Sequence, residues 1–83
     1  MTELILYDRP DCHLCEQAMA LIHALGAGNH CEQVNIEQDI ELVRRYGLRI
    51  PVLVRRDSGA ELDWPFETAA LQRFLENAEA VDG

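Results

Sequence analysis

Cys12 and Cys15 stand two residues apart, directly after the apolar run Leu4, Ile5, Leu6, Tyr7. Strand, turn, Cys-x-x-Cys and helix, in that order, supply what thiol–disulfide exchange requires. The first four amide N–H groups of a helix have no partner within it, and the macrodipole adds roughly half a positive charge at that end. Both favour a thiolate at Cys12 and draw its pKa from about 8.5 towards the values near 7 reached in such motifs. Residues i and i+3 are neighbours on the first turn, so Cys15 sits where it can attack a mixed disulfide formed at Cys12. The same spacing suits zinc, but a closed structural site needs four ligands, and the sequence holds no second such pair.

Other groups near the pair admit two readings each. A protonated His13 would favour the Cys12 thiolate; otherwise it is a solvated residue on an exposed first turn. Asp8 and Asp11, within ~6 Å, would push the thiol pKa back up. Arg9 and Arg49 either steer an anionic group, such as a glutathione or peptide carboxylate, towards the cysteines or pair with Asp8, Asp11 and their neighbours. Cys31 begins a strand parallel to the first, whereas Cys12 follows that strand's far end. Five residues at ~3.3 Å each separate them by roughly 15 Å, beyond the ~7 Å between Cα atoms that a disulfide spans. Cys31 therefore reads as an inert, partly buried thiol. Trp64 and Phe66 read as core or hairpin packing sooner than as a substrate platform, and His23 and His30 as helix-surface and loop residues.

These residues need elements to position them. Residues 3 to 7 read as a buried strand, ended by Asp8, Arg9, Pro10 and Asp11. Leu14, Ala18, Leu21, Ile22 and Leu25 share one helical face, and Gly26 or Gly28 supplies the stop. Cys31 to Ile36 reads as an edge strand with Val34 and Ile36 on one face and Cys31, Gln33 and Asn35 on the other. Asp39 caps a short helix in which Leu42, Val43 and Tyr46 point inward and which Gly47 closes. Pro51 to Val54 form a strand whose first residue is the proline, where the missing N–H costs least. A turn at Arg56, Asp57, Ser58 and Gly59 leads to a partner strand from Glu61 to Trp64, ended by Pro65. The last helix runs from Thr68 to Ala78 with Leu71, Phe74, Leu75 and Ala78 as its buried stripe, and Ala80 to Gly83 form a frayed tail. A strand–helix–strand unit crosses right-handed, so the first two strands are parallel, and the tight turn makes the last two antiparallel. The expectation is an α/β protein of order βαβ-α-ββα, with a mixed four-stranded sheet flanked by helices.

Composition narrows the setting. Eighty-three residues make one domain over 1–83, short enough that only about 60% of the unfolded surface becomes buried. Fifteen acidic residues against seven arginines give a formal charge of −8, which argues against nucleic acid and anionic membranes as partners and favours a soluble monomer. Lysine is absent. Arg9, Arg44, Arg45, Arg49, Arg55 and Arg56 gather beside the Cys-x-x-Cys or around Pro51 in the sequence. Three cysteines exclude a fully paired disulfide framework, no leader-like segment opens the chain, and no run approaches the ~20 apolar residues of a membrane span. A cytoplasmic location is expected.

The sequence also carries a family resemblance. Tyr7, Asp8, Arg9, Pro10, Asp11, Cys12 resembles the approach to the active site in glutaredoxins, where a basic residue stands three positions before the first cysteine; Arg9 holds that position. Tyr46, Gly47, Leu48, Arg49, Ile50, Pro51 is similar to the thioredoxin stretch that ends in a cis proline facing the cysteines. Leu62, Asp63, Trp64, Pro65, Phe66 resembles a glutaredoxin-like family of short bacterial proteins. The resemblance implies a thioredoxin-like fold, a cis Ile50–Pro51 bond, Pro51 packed over the sulfurs, and Ile50 offering its backbone N–H and C=O to an extended substrate segment. It implies a thiol-disulfide oxidoreductase with no bound cofactor, acting on a disulfide-containing protein or small thiol substrate, with glutathione or a thioredoxin-type reductase as electron donor. The usual glutathione motif is incomplete. Where glutaredoxins carry a Gly-Gly turn and an acidic residue, this chain has Asp63, Trp64, Pro65 and Phe66, whose bulk obstructs close backbone approach. His13 and Leu14 likewise replace the usual proline and aromatic residue. The alternative is a non-catalytic binding module on the same fold, holding a metal or an iron–sulfur cluster through the cysteine pair.

Overall fold

A computed structural model describes residues 3–81, with side chains described for residues 3–76. The apolar run near the start forms β1 (Leu4–Asp8), and the Cys-x-x-Cys leads into α1 (His13–Ala24). After a 3₁₀ turn at Gly28–His30 come β2 (Cys31–Asn35), a second 3₁₀ turn at Ile36–Gln38, and α2 (Ile40–Tyr46). The chain then forms β3 (Val52–Arg55), β4 (Glu61–Asp63) and α3 (Thr68–Val81). The sheet order is β2-β1-β3-β4, with β1 parallel to β2, and β3 antiparallel to both β1 and β4. This is the mixed α/β arrangement expected of a thioredoxin-like fold.

Alternation along β1 and β3 gives the sheet two buried faces. Leu4, Leu6 and Leu53 pack on one side with Ala18 and Ile22 of α1, Leu71 and Phe74 of α3, and Phe66. Val52 lies on the other side with Ile36 and Tyr46, against which Tyr7, Leu42, Ile50 and Val54 are packed. The helices α1 and α3 thus cover one face and α2 the other. Burying a side chain such as Leu6 contributes about 1.5–3 kcal/mol.

Several local expectations need correction. Leu14 is 45% exposed and Val43 37% exposed. The buried stripe of α1 is Cys15, Ala18 and Ile22, a spacing of three and four that leaves Leu14 on the outer side of the first turn. In α2, Leu42 and Tyr46 stand four apart and face the sheet, which puts Val43 outward. The second strand stops at Asn35, whose Oδ1 accepts from the Glu37 N–H at 2.9 Å and turns Ile36 into a 3₁₀ turn. Ile36 is nonetheless buried, while Cys31 packs on the α1 and α3 side. Pro51 precedes β3 rather than opening it, although its carbonyl still accepts from the Trp64 N–H at 3.1 Å. The last helix continues to Val81, into the segment expected to fray; the Ala78 side chain and residues 82 and 83 lie outside the described residues.

Two glycines act by different means. Gly26 ends α1 with φ 79°, donating to His23 O at 2.9 Å while Ala27 N–H donates to Ile22 O at 3.0 Å, the paired bonds of a left-handed helix cap. Gly47 closes α2 with φ −54°. There the requirement is space, since a Cβ would lie 2.5 Å from the Val43 carbonyl oxygen.

Candidate active site

Cys12 is the N-cap of α1, with extended backbone (φ −104°, ψ 105°), and its Sγ accepts from the Cys15 N–H at 3.2 Å. A cap acceptor on sulfur is the local arrangement in which an amide stabilises negative charge on that atom. Cys12 and Cys15 are joined as a disulfide, their Cα atoms 5.2 Å apart, inside the range a disulfide spans. Cys12 is half-buried, whereas Cys15 is 3% exposed. One sulfur thus faces outward and the other sits behind it.

The turn before Cys12 depends on Asp11, which adopts φ 59°. Aspartate tolerates this left-handed conformation better than most residues do. The turn delivers Cys12 to the wall of an open cleft of about 410 Å³, lined by Arg9, Asp11, Cys12, His13, Leu14, Gly47, Leu48 and Ile50. Four of the residues singled out in the sequence, Arg9, Cys12, His13 and Ile50, therefore meet there. Leu14 and the fully solvent-exposed Leu48 give the cleft an apolar rim, a feature that helical periodicity alone assigned to the core for Leu14. Pro51 is buried next to Ile50, and the Ile50–Pro51 bond is cis, as is Trp64–Pro65.

Arg49 does not reach this cleft. Its partners are not Asp8 or Asp11 but Asp63, held by two bonds of 2.9 and 2.8 Å, and Glu61 at 2.6 Å. The reason lies in the hairpin register, which sets Asp63 opposite Val52, three residues beyond Arg49. The alternating acids of β4 were the signal for this pairing, since positions 61 and 63 of a strand share a face. Hydrogen bonds from Arg49 hold both carboxyls below their ordinary range; at Glu61 a bond from Tyr46 adds to the effect. The Ile50 N–H donates to Tyr46 O at 2.9 Å. That N–H is thus engaged within the fold, whereas the resemblance implied that it is offered to a substrate.

The remaining charges sort by position. Arg9 is exposed and makes no ion pair among the described residues. Burial raises the Asp8 carboxyl, opposed by the hydrogen bond from Gln33 Nε2 at 2.9 Å. Arg55 and Arg56 stand well away from the cysteines despite their proximity to Pro51 in sequence. Arg55 is buried against Asp57 and the carbonyls of Phe74 and Leu75, and Arg56 pairs with Glu32. Cys31 lies opposite Leu4, at the end of β1 remote from Cys12. Burial first, with a smaller contribution from Asp8, pushes its thiol up to about 11 against a hydrogen bond with the Leu6 backbone, so at neutral pH it is a protonated and poor nucleophile. Among the described residues, no group of three or more His, Cys, Asp or Glu is placed to hold a metal ion, and no helix is long and apolar enough to cross a membrane.

Comparison with known proteins places this geometry in a family. The X-ray structure of Northeast Structural Genomics target protein XcR50 from X. campestris is 45% identical, covers 90% of this chain and 97% of its own, and superposes with a TM-score of 0.82. The solution structure of the same target gives 44% identity, 93% and 96% coverage and a TM-score of 0.82. Protein Ne2328 from Nitrosomonas europaea, solved by NMR, is 29% identical with 87% and 88% coverage and a TM-score of 0.74. A search among curated proteins found no match. The family model described as "Glutaredoxin-like domain (DUF836)" matches residues 3–76. With that match spanning the strand, the cysteine pair, the proline segment and the hairpin, the chain belongs to the glutaredoxin-like DUF836 family.

Proposed function

We propose that this protein is a dithiol-disulfide oxidoreductase acting through Cys12, His13, Leu14 and Cys15. The observation that carries the reading is the cap: the sulfur of Cys12 accepts an amide N–H at the start of α1 while Cys15 is buried directly behind it. Cys12 as thiolate attacks one sulfur of a substrate disulfide, forming a mixed disulfide and expelling the other sulfur as a thiolate that takes a proton from water. Cys15 then loses its proton to solvent and attacks Cys12 Sγ. The Cys12–Cys15 bond forms, the mixed disulfide breaks, and two electrons have passed to the substrate. Arg9 and His13 line the approach, and the guanidinium of Arg9 supplies positive charge to a developing thiolate or a substrate carboxylate. Ile50 lines the same cleft beside the buried Pro51, with the Ile50 carbonyl as acceptor for a substrate backbone. Substrates are disulfides of proteins or small thiols, and glutathione or a thioredoxin-type reductase returns the electrons. The reaction suits a reducing compartment such as the cytoplasm.

Two measurements test the reading. Thiol alkylation across a glutathione redox titration should show a reversible two-electron couple between about −270 and −180 mV. With Cys15→Ser, a mixed disulfide should accumulate at Cys12, and Cys12→Ser should trap none. Independent thiols that never form a bond would overturn the proposal, and equal trapping by both variants would show the assigned roles to be wrong.

A further inference from the structure

Gly47, Leu48 and Ile50 line the same cleft as Cys12, immediately before the buried Pro51. Arg49 and Ile50 N–H both donate to one carbonyl, that of Tyr46, at 2.8 and 2.9 Å, and Pro51 O accepts from Trp64. Between these anchors the Arg49 side chain crosses to β4 and forms its two-pronged contact with Asp63 and its 2.6 Å contact with Glu61. Glu61 is shared. Its other oxygen accepts from the Tyr46 hydroxyl at 2.9 Å. The Tyr46 ring in turn lies 5.2 Å from the Arg49 guanidinium carbon and 5.4 Å from that of Arg45, and it stacks on Tyr7 with centroids 4.4 Å apart. One connected set of side chains therefore joins β1, α2, the proline segment and β4.

From this connection we infer that Arg49, Asp63 and Glu61 form a clasp that positions the Ile50–Pro51 segment for a substrate disulfide at Cys12. Asp63 and Glu61 act through Arg49 as positioning residues, and Arg49 is not the ligand of a substrate anion. A guanidinium fork matched to a carboxylate fixes direction as well as distance, which a lysine cannot do. Its functional consequence rests on the oxidoreductase reading; its structural consequence does not.

The test compares wild type with Arg49→Gln, Arg49→Lys, Asp63→Asn and the Arg49→Gln/Asp63→Asn double variant. Turnover is measured with insulin as a protein disulfide and with glutathione disulfide as a small anion. Amide hydrogen exchange is followed at Ile50 and Trp64, and iodoacetamide alkylation of reduced Cys12 serves as a control. The expected result is a fall in kcat/KM for insulin of about tenfold in Arg49→Gln and Asp63→Asn alike, less than the hundredfold that misplacement at a reacting centre can cost. The double variant should fall no further, the mark of residues acting as a unit, and Arg49→Lys should recover less than half. Ile50 exchange should quicken in each variant while Cys12 alkylation is unchanged. Faster turnover of glutathione disulfide in Asp63→Asn with slower turnover in Arg49→Gln would make Arg49 an anion ligand and overturn the proposal. Unchanged Ile50 exchange in Asp63→Asn would overturn it equally. A wild-type protein without turnover would defeat the oxidoreductase reading, and exchange alone would then decide the clasp.

Discussion

Arg55 shows why a residue's neighbours in sequence are a poor guide to its task. It follows Pro51 by four positions, but its 6% exposure and its bonds to Asp57, Phe74 O and Leu75 O tie β3 to α3 at the end of the sheet remote from the cysteines. Removing a buried cation from its partners is costly, so Arg55→Ala should lower stability by about 2 kcal/mol. A drop in the urea midpoint with the Cys12–Cys15 potential unaltered is the outcome that checks this. Cys12 and Cys15 were legible because their chemistry depends only on a three-residue spacing and a helix start. Arg49 was not, because its partners are chosen by a hairpin register that two strands set together. Leu14 misled for a related reason. Its four-residue spacing from Ala18 matches the apolar stripe, but the first turn of α1 borders the cleft, and there the inward position is Cys15.

The order of strands and helices followed from apolar runs and turn residues, and their ends followed less well. Gly26 was one of two candidates for the end of α1, and the left-handed φ of 79° with its paired bonds identifies it. No atom outside its chain neighbours lies within 4 Å of the place a Cβ would occupy at Gly26. Gly26→Ala therefore isolates the backbone cost, about 1 kcal/mol for a left-handed residue, which a shifted thermal or urea midpoint would register. The second strand ended a residue early because Asn35 caps the turn after it, a competition between side chain and ladder that strand patterning does not weigh. Helix α2 is shorter still. With only seven residues, two inward positions suffice to seat it, and Val43 is released to the outer side.

Across the whole molecule, the formal charge of −8 conceals local neutralisation, since Glu61 and Asp63 are both held below their ordinary pKa by Arg49. In the unfolded chain these carboxyls take up protons near pH 4, before the folded protein does. The stability they contribute is therefore complete above that range and is lost as pH falls through their lowered folded values. Urea midpoints of wild type should drop more steeply between about pH 6 and pH 3 than those of Arg49→Gln, which lacks the partner that lowers them; parallel slopes would contradict this. The cysteine cap lies within the span of the family match, residues 3–76, and it ties the state of the sulfur to the cohesion of α1. A charged acceptor forms the stronger bond, so the N–H of Cys15 grips Cys12 more firmly as a free thiolate than as half of a disulfide. Fraying of the helix start and the electron affinity of the pair are then coupled through one bond. A change that strengthens this bond more for the thiolate than for the disulfide raises the reduction potential of the pair, and one that weakens it more for the thiolate lowers it.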